Sequence, residues 1–150
     1  MKKMGLILLV VFLSGCVTVK IPKYLQENFP YKKKFYARYE ETLTATQQAL
    51  KDLGWTVSEV ANPTAFERQA ETKDTPAQEV LIFTEVRQTP LILSSRYMSL
   101  NVYVRAAGDS TDVEIRYISV MPILFKSVKN YKNDPVVDKV FDRISELLKP

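Results

Sequence analysis

The chain has 150 residues, with 21 Lys and Arg against 17 Asp and Glu, one cysteine and no histidine. Without histidine, Ser-His-Asp and Cys-His catalytic arrangements are excluded, and the commonest metal ligand near neutral pH is missing. A lone cysteine allows no internal disulfide, and four glycines form no Gly-rich phosphate loop, beside which no Ca²⁺ loop or zinc spacing occurs. The expectation is a non-enzymatic protein without cofactor or metal.

The chain opens with Lys2 and Lys3, followed by apolar Met4 to Leu13 and then Leu13-Ser14-Gly15-Cys16. A permanent membrane helix needs about 20 apolar residues, so residues 1–15 read as a removable export signal. Leu13-Ser14-Gly15-Cys16 resembles the lipobox of bacterial lipoproteins. That resemblance implies cleavage between Gly15 and Cys16, a diacylglyceryl group on the Cys16 thiol and acylation of the new amine, palmitate-type chains that hold the protein to a membrane. In lipoproteins of double-membrane bacteria an Asp after the cysteine often marks inner-membrane retention. Val17 in that place implies the outer membrane, with the domain facing the periplasm. The leader takes Lys2 and Lys3 with it and leaves 19 cations against 17 acids. This near-neutral balance argues against a nucleic-acid partner.

After the signal, Pro22, Pro30 and scattered charges make residues 16–34 read as an extended tether, with one domain over 35–150. Lys34 to Tyr39 alternates weakly as a first strand. Glu40 and Glu41 open a helix where acidic groups suit its N-terminus, with Leu43, Ala49, Leu50 and Leu53 as its stripe and Gly54 as its stop. Trp55 to Val60 is a short strand, and Asn62-Pro63 breaks it. Residues 61–78 read as a loop with a helical turn near Ala65 to Gln69.

Glu79 to Arg87 forms the next strand, with Val80, Ile82 and Val86 on one face. Tyr97 to Ala107 follows, with Met98, Leu100, Val102 and Val104 at period two. Gly108-Asp109 turns the chain, and Thr111 to Val120 returns as the second arm of a hairpin. Asp134 as cap and Pro135 as first turn open the last helix, whose stripe is Val136, Val137, Val140, Phe141, Ile144, Leu147 and Leu148. The expected fold is α+β, a single antiparallel sheet of four to five strands with two helices on one face, in the order (β)-α-β-β-β-β-α. Ala49 to Trp55, a helix end turning into a strand, resembles helix-grip modules of envelope lipoproteins such as the C-component of the barrel-assembly machine.

Three surfaces stand out as binding candidates. The sheet face away from the helices would present Phe83, Arg87, Tyr97, Asn101, Tyr103 and Arg105 beside Leu81, residue types enriched at protein interfaces, with Thr89 to Leu93 as a rim. The segment Val120 to Phe125, with Ile123, Leu124 and Phe125, is an apolar loop broken at Pro122 that either plugs the core or meets a partner. Tyr31 to Tyr39 alternates cations and aromatics, suited to anionic head groups or to a strand with inward rings. A membrane-anchored binding or assembly-accessory module with an envelope protein partner is the leading reading. A carrier or sensor of an amphiphile held between helices and sheet is the alternative. A hydrolase would need two of Glu85, Asp112 and Glu114 to converge, against their pairing with Arg87, Arg105 and Arg116.

Overall fold

A computed structural model of the chain describes residues 19–26, 30–66, 78–92, 94–123 and 126–149. Its spine is the hairpin of β5 (Ser95–Ala107) and β6 (Ser110–Ile123), joined through Gly108 at φ 65°. The left-handed conformation of that turn suits a residue without Cβ. Met98, Leu100, Val102 and Val104 face Val113, Ile115 and Tyr117 on the inner side, as their alternation requires.

The sheet is antiparallel throughout and has seven strands rather than four or five, because both positions beside the hairpin are split. β1 (Tyr31–Phe35) and β7 (Lys126–Asn130) follow one another along β6. On the other side, β3 (Glu79–Thr84) and β4 (Arg87–Pro90) share the edge of β5, and β2 (Val57–Ala61) lies outside β3. A short 3₁₀ turn over Pro63–Ala65, opened by the Asn62 side chain, follows β2.

Both helices cover the inner face. Leu50 of α1 (Tyr39–Asp52) and Val140 and Ile144 of α2 (Asp134–Leu147) pack against Leu100, Val102 and Ile115, all without solvent exposure. α1 stops at Gly54, φ 75°, where the Trp55 N–H returns to the Leu50 carbonyl at 2.8 Å. α2 is capped by Asn133, one residue earlier than the sequence indicates, its Oδ1 accepting from the Val136 N–H at 3.3 Å. Arg143 of α2 reaches Asp52 of α1 at 2.6 Å, and this hydrogen bond holds the Asp52 carboxyl below its ordinary range.

Three sequence expectations change. Residues 31–34 belong to β1 rather than to a tether, with Phe35 buried and Lys32 and Lys34 on the opposite side to it. The expected strand Glu79 to Arg87 is interrupted at Glu85 and Val86, which leaves Val86 exposed instead of in the core. The interruption is a bulge. From Phe83↔Asn101 to Arg87↔Met98, the β3–β4 side uses four residue steps against three on β5, and an odd extra residue exchanges the two faces. At the break the Thr84 hydroxyl takes the Leu100 N–H at 2.9 Å, which keeps a buried donor satisfied. Finally, Val120 to Ile123 continue β6 straight through Pro122, because β7 pairs alongside them.

Tyr31 ties β1 to the start of α2. Its hydroxyl donates to Asp134 at 2.5 Å and accepts from the Asn133 N–H at 2.9 Å. Burial, then the bond to Asp134, push the Tyr31 hydroxyl from 10.0 up to about 12. The unfolded tyrosine ionises first, so this contribution is whole below pH 10 and fades as pH rises toward 12. Tyr31→Phe is expected to lower stability by about 1–2 kcal/mol at neutral pH. In denaturant titrations across the alkaline range, the gap between wild type and variant should close over that window. A gap that stays constant with pH would contradict the role of the hydroxyl.

Candidate functional site on the outer sheet face

The outer face expected to be bare is covered by the chain's own N-terminal segment. Residues 19–26 cross it as a strap, with Leu25 only 1% exposed beside Ile118 and Val120, and with Val19 and Ile21 packed on the same cluster. Pro22 cannot donate to a ladder, and the strap pairs with no strand. Side chains hold it instead. Asn101 Oδ1 accepts from the Leu25 N–H at 2.6 Å, and Asn101 Nδ2 donates to the Lys23 carbonyl at 3.0 Å. One amide thus serves as both halves of a missing ladder pair.

Arg116, directly opposite Asn101 in the β5–β6 register, completes the latch. Its guanidinium donates to the Leu25 carbonyl at 3.0 Å and to the Tyr24 hydroxyl at 2.9 Å, while Glu114 accepts from it at 2.8 Å. The same group lies 4.4 Å above the Tyr103 ring, where the ring quadrupole favours a cation. Lys23 forms an ion pair with Glu59 and sits over Phe83. Phe66 stacks on Tyr24 and meets Phe83 edge to face, with ring centroids 5.7 and 5.0 Å apart.

The six residues proposed for a partner face therefore divide. Phe83, Asn101 and Tyr103 do share the outer face, but they are buried under the strap. Tyr97, opposite Val120, is half-buried, and Arg105 is exposed and paired with Glu79 at 2.8 Å. Arg87 points to the helix side, where its Nη1 donates to the Leu53 carbonyl at 3.1 Å and its guanidinium stacks near Trp55. The bulge before β4 is the reason, since it reverses the face that Arg87 would have in an unbroken strand. Ile123 ends β6 opposite Lys126 and is exposed. Leu124 and Phe125 lie outside the described residues, as do Gly15 and Cys16.

The sequence marks Asn101 as a candidate binding residue but gives little warning of Arg116, or that the ligand of Asn101 is the chain itself. The available signal is a lone amide amid Leu100, Val102 and Val104, which on a strand needs a partner from elsewhere. Of the three carboxylates only Glu85 stands apart, exposed at the bulge. Asp112 and Glu114 line one cleft of about 240 Å³ on the outer face of β6, each beside cations, Glu114 meeting Arg116 and Lys32 and Asp112 meeting Lys34 at 3.8 Å. No group of three potential metal ligands forms among the described residues. Most of the basic-aromatic run around β1 is used internally, Tyr31 and Phe35 packing on the core and Lys32 and Lys34 pairing with β6, while Tyr36 is 90% exposed.

Between helices and sheet, the space an amphiphile would need is filled by Leu50, Leu100, Val102, Val104, Val140 and Ile144, none with solvent exposure. On the helix side a surface groove of about 580 Å³ runs along Glu41, Thr44, Ala45 and Gln48 of α1 to Leu147 and Leu148 at the end of α2. It combines an acidic lip with an apolar floor. Among the described residues, no helix is long and apolar enough to cross a membrane. No protein-family model matches the chain, and no curated protein is significantly similar to it.

Proposed function

We propose that the chain is a lipid-anchored bacterial envelope protein whose domain acts as a non-enzymatic binding or assembly-accessory module. The strap carries this reading. Cys16, the residue that the lipobox resemblance marks for acylation, precedes Val19 by three residues, a span of about 10 Å when fully extended. A chain secured to the sheet so soon after its anchor keeps the domain at the membrane instead of on a long leash.

Its contribution is positional. Confinement to a surface raises effective concentration against a membrane partner, so a weak interface suffices. Two or more acyl chains make such anchoring stable where one is marginal. With the outer sheet face taken by the strap, the helix-side groove along α1 and α2 is the surface we assign to an envelope protein partner. Outer-membrane placement follows from Val17 where the cell has two membranes.

A photoreactive residue at Thr44, exposed on the groove, is expected to trap a discrete envelope protein in living cells. The same probe at Asp109, in the β5–β6 turn, should not trap it. Equal adducts from both positions, or adducts with cytoplasmic proteins alone, would contradict the assignment.

A further inference from the structure

We infer that the end of the sheet formed by the β4–β5 turn and the start of the β6–β7 hairpin docks on the anionic head-group layer of the membrane that holds the anchor. The inference rests on the lipid anchor proposed above and adds an orientation to it.

The topology brings the relevant residues together. Pro90 pairs with Ser95, and the Leu91 N–H closes the turn on the Ser94 carbonyl at 2.8 Å. The start of β5 lies beside the end of β6, through Tyr97↔Val120, and Ile123 of β6 pairs with Lys126 of β7. The β4–β5 turn and the Ile123–Lys126 pair therefore lie at one end of the sheet, and the Gly108-Asp109 turn marks the opposite end.

The strap leads to that same end. Leu25 is held at the Asn101–Arg116 pair, and Val19 and Ile21 pack on the cluster that includes Ile118 and Val120. Followed backwards, the chain heads along β6 toward Ile123, and Cys16 is three residues beyond Val19.

The chemistry of this end suits a lipid surface. Ile92 is 100% exposed, and Leu91, Ile123 and Val128 are exposed too. Monomeric surfaces rarely cluster large apolar side chains at loop tips without a use. Arg96, Lys126 and Lys129 are exposed around them and have no ion-pair partner among the described residues. The sequence holds no Asp or Glu over 86–108 or 115–133, so the stretches that carry these cations hold no acid of their own. Apolar tips ringed by unopposed cations match the acyl boundary and anionic head groups of a bilayer. The opposite end bears Asp109 in its exposed turn, and its cations Lys34 and Arg105 are already paired, with Asp112 and Glu79.

The test uses the full lipidated protein, reconstituted in vesicles of phosphatidylethanolamine and phosphatidylglycerol, with a thiol-reactive nitroxide at Ile92→Cys or Asp109→Cys. Wild type serves as control, since a lipidated Cys16 leaves no free thiol. At position 92 the nitroxide should collide preferentially with membrane-dissolved oxygen, and at 109 with a water-soluble nickel complex. Lys126→Glu combined with Lys129→Glu should erase the oxygen preference at 92. Equal accessibility at 92 and 109, with wild type unlabelled, overturns the docking while leaving the anchor intact. Persistence of the preference in the charge-reversed protein overturns the role of the cations. Label uptake by wild type contradicts the anchor itself.

Discussion

Replacing Asn101 by alanine is expected to release the strap and to cost about 1.5–3 kcal/mol. The amide holds the Leu25 N–H at 2.6 Å and the Lys23 carbonyl at 3.0 Å. Its removal leaves the buried Leu25 N–H unpaired, at about 1–3 kcal/mol, and the part-buried Lys23 carbonyl at less. The strap avoids that penalty by detaching, and then forfeits the burial of Leu25, itself worth about 1.5–3 kcal/mol. These two routes compete, so the observed cost is the smaller of them rather than their sum.

The release has a signature that a general loss of stability lacks. Lys20 and Lys23 lie on the strap, and limited trypsin digestion should cut after them early in Asn101→Ala but late in wild type. The helices and the β5–β6 hairpin should resist digestion equally in both. An unchanged denaturation midpoint with unchanged cleavage at Lys23 would contradict the latch. The buried positions also change the meaning of substitutions at Phe83 and Tyr103. At 1% and 4% exposure, polar residues there would loosen the strap instead of disabling a free binding face.

Much of the fold was legible where burial enforces a period. Met98, Leu100, Val102 and Val104 alternate inward because one face of the hairpin is covered by helices, and Val137, Val140, Phe141 and Ile144 repeat at helical spacing for the complementary reason. Gly108 and Gly54 mark positive-φ positions that end their elements. Features that carry no period were hidden. β7 is exposed along its whole length and shows no apolar alternation. The bulge at Glu85 and Val86 leaves hydropathy unbroken, yet it reverses the face of every later residue, which is why Arg87 belongs with Trp55.

The candidate site was hidden for a related reason. The strap is bound mainly through its backbone groups, to Asn101 and Arg116, and backbone hydrogen-bonding capacity is the same for almost every residue. A search for apolar stripes therefore passes over residues 19–26, although Val19, Ile21 and Leu25 do contribute packing. Reading Asn101 as a surface residue followed from placing it on an unoccupied face. Alternation along β3 and β5 places Phe83, Asn101 and Tyr103 on the outer face, but nothing in their pattern names what covers it.

The second large effect concerns Cys16 and decides the account as a whole. Each buried methylene of an acyl chain contributes about 0.8 kcal/mol, so the chains proposed on Cys16 should hold the processed protein at a membrane far more strongly than any single contact within the domain. Asn101→Ala should leave that retention intact, since the anchor proposed at Cys16 would be covalent and independent of the latch.

The decisive measurement is incorporation of a labelled fatty acid in cells expressing wild type or Cys16→Ala. Wild type should carry the label, migrate as the processed form and sediment with membranes. Cys16→Ala should accumulate as a longer, unlabelled precursor. Equal labelling of the two proteins, or a processed wild type without label, would contradict the lipid anchor and the positional function built on it.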